Sequence, residues 1–361
     1  MSKELILQFS IFILSGIPFS LIIILAYARF FSPYNSSLAK ATTIITNISG
    51  NLIHENLAVK SLIFDKYEAM MDEKSNFTYI ENHDTKEDLK LDKRELRKEL
   101  TMQLIAAISA LCHYPKHQEI ETVISKFLKN CAMDEKRLGQ KYGIITHIPT
   151  SEVKKISTIV AIDKESEEIF AFNKGNPSAI LERCTRIFLN GKNTGLTSNQ
   201  IRKLKIQIEK LNQKGEKTIA FAYKPLPKKK LENYTDQFTE NDLVLLGIIG
   251  LGNYIKDNLY ETVENIKKDG IKIYIVSSLK GRKALAIGRD LGIVNPRYFE
   301  VISSKDLENI PQEKLRKMIK NKEKDYIFCD ITDENRPKII DALREEGETT
   351  AIATKENGLK T

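Results

Sequence analysis

The side chains able to do chemistry are sparsely placed in this sequence, and their spacing excludes several classes of function. Cys112, Cys131, Cys184 and Cys329 show no CxxC spacing and read as structural thiols in a reducing compartment. His113 and His117 have the spacing of a helical metal pair, but Pro115 stands between them and would break the helix presenting them. No metal site is read there. The basic run Lys228-Lys229-Lys230 follows Pro225 and Pro227 and reads as a loop. Nucleic-acid recognition calls for basic residues clustered with aromatics on one face, and no such cluster is found, so no nucleic-acid partner is expected. Ala41–Thr46 is a short apolar, β-branched run, which predicts a buried parallel strand. Asn47 follows at its C-terminal end, where open α/β sheets place their ligands. Its side chain is an amide, a poor nucleophile.

Composition and hydrophobic period indicate the strands and helices that carry these residues. The chain has 361 residues, 42% hydrophobic and 29% charged, which suits two or three globular units. Its net charge of +8 comes from 56 basic against 48 acidic residues, interspersed in the manner of a solvated surface. From Leu5 to Ala28 no residue is charged, long enough to cross a bilayer. Ala26-Tyr27-Ala28 resembles a signal-peptide cleavage site, but the length of the apolar stretch and the weak N-terminal charge favour an anchor. Arg29 and Lys40 then place the C-terminal side in the cytoplasm. Residues 57–80 alternate like strands. Residues 86–112 have helical periodicity through Leu89, Leu96, Leu100, Leu104 and Ile108, and a second helix is predicted over 119–130. Strands are predicted at 156–162, 168–173 and 243–250. Beyond these, helices at 260–269, 282–291 and 337–345 alternate with strands at 271–276, 326–329 and 349–353. Strands alternating with helices imply a parallel, doubly wound sheet.

Ile44-Ile45-Thr46-Asn47-Ile48-Ser49-Gly50-Asn51-Leu52 resembles the phosphorylation motif of P-type cation-transporting ATPases, Ile-Cys-(Ser/Thr)-Asp-Lys-Thr-Gly-Thr-Leu. Asn47 stands where that family has its phosphorylated aspartate, and Ile48 where it has lysine. Further segments match in the same order. Lys174-Gly175-Asn176-Pro177 through Ile180-Leu181-Glu182-Arg183-Cys184-Thr185 resembles Lys-Gly-Ala-Pro-Glu-x-Ile-Leu-Glu-Arg-Cys-Thr and is the most specific match. Gly215 to Lys224 resembles Gly-x-Arg-Val-Leu-Ala-x-Ala, with Lys217 in the arginine position. Leu111-Cys112 fits Leu-Cys-Asn, and Glu121 fits the glutamate of Pro-Thr-Glu. Ile13-Leu14-Ser15-Gly16-Ile17-Pro18 resembles the Ile-Pro-Glu-Gly-Leu-Pro of the fourth transmembrane helix, with Ser15 at the cation-coordinating glutamate.

The resemblance implies an α/β fold: a Rossmann-like, haloacid-dehalogenase-type parallel sheet domain with a large α+β nucleotide-binding-domain insertion and one N-terminal transmembrane helix. The helix is expected over 5–31, the phosphorylation-type domain over 38–56 plus 241–361, and the nucleotide-binding-type domain over 57–240. It implies a nucleotide site built on Glu121, Lys174, Gly175, Arg183 and Lys217. Thr150 replaces the phenylalanine on which the family stacks adenine; stacking contributes about 1–3 kcal/mol, so ATP is implied only as a weak ligand. Lys154 or Lys155 can face a phosphate or simply sit on a solvated strand. No catalytic set is intact. Arg336 takes the position of the phosphate-binding lysine, Ser277-Ser278-Leu279 replaces Thr-Gly-Asp, and Asn253-Tyr254-Ile255-Lys256 replaces Asp-Pro-Pro-Arg. Lys355 and Leu359 fall where the magnesium-binding aspartates belong, so Mg2+ is not expected. The resemblance covers part of the family's architecture, lacking the actuator domain. The reading is a membrane-anchored, single-pass, catalytically inactive homologue with its bulk in the cytoplasm. Its implied partners are the membrane and an active P-type ATPase or other membrane protein. Two alternatives stay open: a decayed pump remnant with no activity, and a residual ATP hydrolase using Asp330, Asp333 or Glu334.

Overall fold

The computed structural model describes residues 41–82, 96–112, 118–148, 154–321 and 323–353. It divides into two compact units, one formed by residues up to Glu55 together with those from Ile255 onward, the other by Asn56–Tyr254. β1 (Thr43–Thr46) opens the first unit. The second holds β2 (Ala58–Phe64), β3 (Tyr67–Met71), β4 (Phe77–Asn82), β5 (Tyr142–Ile148), β6 (Ile156–Asp163), β7 (Ile169–Gly175), β8 (Cys184–Leu189), β9 (Lys192–Gly195), β10 (Lys217–Leu226) and β11 (Leu243–Gly252). β12 (Lys272–Val276), β13 (Phe299–Ser303), β14 (Asp325–Cys329) and β15 (Thr350–Ala353) complete the first.

In the first unit the order is β13-β14-β12-β1-β15, parallel throughout. Parallel strands need both faces covered, and helices cover both. On one face Val263, Ala284, Ile287 and Leu291 pack with Ile275 and Ile327; these come from the helices Leu259–Lys268 and Gly281–Asp290. On the other, Leu315, Ile319, Ile339 and Leu343 pack with Ile45, Tyr274 and Phe328. β1 lies inside the sheet, with β12, β14 and β13 to one side and β15 to the other. The order therefore reverses at β1, and Asn47 opens the loop at that switch point.

In the second unit the order β4-β3-β2-β11-β10-β7-β6-β5 is antiparallel, with β8 joining β11 in parallel and β9 pairing β8. Side chains alternate across it, as a pleat requires. Ile219, Phe221 and Tyr223 of β10 enter the core shared with the helices Leu100–Leu111 and Gln118–Asn130. Ala220 and Ala222, pointing the other way, meet Leu204, Ile208 and Leu211 of the helix Ser198–Gln213. Two small residues there make room for a helix.

The structure corrects two expectations. The apolar run of β11 implies a place in the parallel sheet, with a boundary after residue 240. Instead β11 is central to the antiparallel sheet, between β2 and β10, and the chain leaves that unit only after Tyr254. Every residue of β11 is buried. Such a run signals two covered faces, which an interior strand of either sheet has. The helix expected over 86–112 is described only as Leu100–Leu111, and Leu100 is half exposed. β13 and the helices Ser304–Asn309 and Gln312–Lys320 were not foreseen. Among the described residues no helix is long and apolar enough to cross a membrane. The expected helix over 5–31, with Ser15, lies outside the described residues, as do His113, His117, Thr150, Lys355 and Leu359.

Candidate functional site

Three loops meet solvent at the C-terminal ends of the parallel strands. After β1, the chain turns so that the amides of Leu52 and Ile53 both donate to the Ile48 carbonyl, at 2.9 and 3.3 Å. Gly50 takes a φ of 79° within this turn, a region that favours glycine. Ile48 is wholly buried in the core beneath. Asn51 Nδ2 donates to the Ala353 carbonyl at 2.8 Å, tying this loop to the end of β15. The Lys256 ammonium donates to the Gly50 carbonyl, and the Lys256 amide to the Leu52 carbonyl at 3.1 Å. Asn47 Oδ1 is buried and has no hydrogen-bond partner.

The loops after β12 and β14 are stitched together. The Ile331 amide donates to the Ser277 carbonyl and the Asp330 amide to the Leu279 carbonyl, both at 3.0 Å. Ser277 is fully buried, and its hydroxyl accepts from the Leu279 amide at 3.2 Å. Asp330 adopts a φ of 55° and, like Asp333 and Glu334, is exposed. Arg336 opens the helix Arg336–Glu345 and keeps a buried Nε with no partner. Among the described residues, the polar side chains at these strand ends include the Asn47 amide, the Ser277 hydroxyl, the cations of Lys256 and Arg336, and the exposed carboxylates of Asp330, Asp333 and Glu334. Carboxylates are the ligands a magnesium ion wants; here they come from the loop after β14, and residues 47–53 bring none.

In the second unit, Lys174 is 0% exposed. Its ammonium donates to Glu121 at 2.5 Å and to the Cys112 carbonyl at 3.2 Å, and lies 5.9 Å from the centre of the Phe221 ring. Burial pushes the neighbouring Cys112 thiol up to about 12, against the pull of the Lys174 charge. At Gly175, β7 passes so close to β6 that a Cβ would collide with the Lys155 carbonyl and stand 2.9 Å from Ile156 Cα. Asn176 then caps the helix Pro177–Leu181, accepting from the amides of Ser178 and Ala179, with Pro177 in its first turn. Arg183 returns to this helix and donates to the Ala179 carbonyl at 2.8 Å. Lys217 is exposed at the start of β10, three residues before Ala220, which pairs with Gly175. Lys154 is bound at 2.6 Å by Glu240 and at 2.9 Å by Asp236. The Glu240 carboxylate also accepts from Thr158 at 2.6 Å.

Residues 115–258 match the family model for P-type ATPase, cytoplasmic domain N. Relatives carry the resemblance further along the chain. The calcium-transporting ATPase 1 of Lactococcus lactis is 32% identical over 216 residues, 60% of this chain and 24% of that protein. The sodium/potassium-transporting ATPase subunit alpha of Hydra vulgaris is 24% identical over 343 residues, 82% of this chain and 31% of that protein. A magnesium-transporting ATPase of Salmonella typhimurium is 25% identical over 213 residues, 59% of this chain and 22% of that protein. The chain is a partial member of the P-type ATPase family. It spans about a quarter of the length of the relatives it matches first, 24%, 26% and 23%.

Within this P-type ATPase chain, the structure brings together Glu121, Lys174 and Gly175 of the predicted nucleotide set. Arg183 is turned back onto the helix Pro177–Leu181, and Lys217 stands exposed at the same end of the sheet as Gly175, three residues before the Ala220–Gly175 pair. Lys154 is held by an acidic pair, the buried Glu240 and the exposed Asp236. Sequence reading missed that pair because Asp236 and Glu240 lie more than 80 residues further along. Asn51 and Lys256 register in the sequence only as departures from the family pattern. The structure shows them holding the first loop closed.

Proposed function

We propose that this chain is a membrane-anchored P-type ATPase homologue that forms no phosphoenzyme, and that it acts on a membrane transporter as a partner. The observation that carries this reading is Asn47. Phosphoryl transfer through an acyl-phosphate requires a carboxylate nucleophile, and the switch-point loop offers an amide. Three features of the same loop support it. Ile48 is sunk into the core, the Lys256 ammonium donates to a loop carbonyl, and residues 47–53 bring no carboxylate for a magnesium ion. Asp330, Asp333 and Glu334 belong to a different loop and face solvent, which favours no residual hydrolase. The framework is packed on both faces of both sheets, so the altered loops stand on an intact scaffold.

The nucleotide part of this proposal is a weak ATP site around Lys174. Its ammonium is already satisfied by Glu121 and Cys112, so a nucleotide must displace a short ion pair to reach it. The membrane part rests on the apolar stretch from Leu5 to Ala28 and on the membrane transporters among the relatives.

The deciding experiment is acid-quenched incorporation of phosphate from γ-labelled ATP into the full chain in membranes, beside an active calcium pump. No hydroxylamine-labile label is expected. Label that disappears in Asn47→Ala would overturn the proposal. Titration calorimetry with ATP, with and without magnesium, measures the nucleotide site. Weak, magnesium-independent heat that Lys217→Gln reduces is expected, and a flat titration removes ATP from the proposal.

A further inference from the structure

Glu216 is a carboxyl buried with an incomplete set of partners. Its place is fixed from behind. Gly215 takes a φ of 77° after the helix Ser198–Gln213, and the Glu216 amide donates to the Leu211 carbonyl at 3.0 Å, closing the helix end. The residue is 6% exposed and lies across β11, in room that two glycines leave open. A Cβ on Gly250 would collide with Glu216 Oε2, and one on Gly252 would stand 3.4 Å from its Cγ. The Ser61 hydroxyl on β2 bonds the carboxyl, yet Oε2 is buried with no partner.

A cation stands beside it and is engaged elsewhere. The Lys60 stem crosses Gly252 alongside the Glu216 stem, its Cδ 2.9 Å from where a Gly252 Cβ would be. Its ammonium rests over the Tyr254 ring, 5.1 Å from the centre. Tyr254 is the last residue of this unit, and its hydroxyl donates to the Met71 carbonyl at 2.6 Å. The other charged groups facing these residues are Lys214 at the helix end and Glu68 on β3, toward Glu216, and Asp72 and Glu73, toward Tyr254. The Lys60 ammonium thus has two resting places within reach of one stem: an aromatic face and an unpartnered carboxylate oxygen.

We propose that Glu216 and Lys60 form a proton-controlled latch on the segment by which β11 leaves its unit. With Glu216 protonated, the Lys60 ammonium stays on Tyr254 and holds residues 252–255. When the carboxyl gives its proton to solvent, Oε2 draws the ammonium away and the segment loosens. Burial supports this by raising the carboxyl above its ordinary range, against the opposing pull of Ser61, Lys60 and Lys214.

Hydrogen–deuterium exchange of the full chain between pH 5 and 8, read on peptides covering 247–256 and corrected for intrinsic rates, tests the latch. Protection of 252–255 is expected to fall about two- to five-fold on raising the pH, the size of an exposed cation–π contact. Glu216→Gln is expected to hold the protected level at every pH, and Lys60→Met the unprotected one. Protection that does not change with pH in the natural sequence overturns the latch, and so does a pH dependence that survives Glu216→Gln. Should Glu216→Gln fail to fold, the carbon-13 carboxyl shift of Glu216 decides. A midpoint above the ordinary glutamate range that rises further in Lys60→Met is expected, and an ordinary midpoint overturns the proposal.

Discussion

At Lys174 a positive charge is enclosed, with the Glu121 carboxylate and the Cys112 carbonyl among its partners. Taking an ion out of water costs several kcal/mol, and only a well-placed partner offsets it. Glu121→Ala takes the carboxylate away from a buried ammonium, so a loss of about 3–5 kcal/mol is expected, measured by urea denaturation. Lys174→Met removes the charge with its partner still near solvent and is expected to lose less. Glu216 makes the opposite case. Burial raises its folded-state pKa above the unfolded value near 4.5. Below that value both states are protonated and the group is neutral in its effect. As pH rises through the folded pKa, the folded state gives up a proton at a cost the unfolded chain does not meet, so stability falls. Glu216→Gln is therefore expected to change stability little at pH 4 and to raise it at pH 8, read from urea midpoints at the two values.

The helix Ser198–Gln213 shows how an element is held from its end as well as its face. Thr197 accepts from the Gln200 amide, and the Gln200 side chain accepts from the Thr197 amide, a reciprocal capping box. Leu204, Ile208 and Leu211 supply its buried stripe at spacings of three and four, each contributing about 1.5–3 kcal/mol. Thr197→Ala is expected to cost about 1 kcal/mol, with no change in the shape of the circular dichroism spectrum. Leu211→Ala, removing a residue that is 1% exposed, is expected to cost about 2–5 kcal/mol. Both follow from urea titrations. The loop after β1 is held differently, by Asn51 reaching β15 and Lys256 reaching Gly50. Neither contact is local in sequence.

The whole molecule is two units on one chain, and each has its own cores. Asn56–Tyr254 encloses the clusters around Phe172, Ile248 and Val160 without drawing on the other unit. Expressed alone, residues 56–254 are expected to unfold in one cooperative transition, observed as coincident fluorescence and circular dichroism curves in urea. Non-coincident curves would show that the unit depends on the rest of the chain. The same division explains why the P-type ATPase resemblance survives in the frame. The altered positions described in the first unit, at 47–51 and 277–279, sit in loops at strand ends.

Legible in the residues alone were the family, the strand that ends before Asn47, the helices near 119–130, 260–269 and 337–345, and the amide in place of an aspartate after that strand. These are local facts. They rest on hydrophobic period, on residue identity and on short motifs, which do not need the rest of the chain. That β11 joins the antiparallel sheet came from the fold, because an apolar run says that both faces are covered and not by what. The tertiary structure also decided that Lys174 is enclosed with Glu121, that Lys154 answers to Asp236 and Glu240, and that Glu216 lies against glycines beside Lys60. Each joins residues from different elements, and desolvation there depends on what the fold brings within a few ångströms.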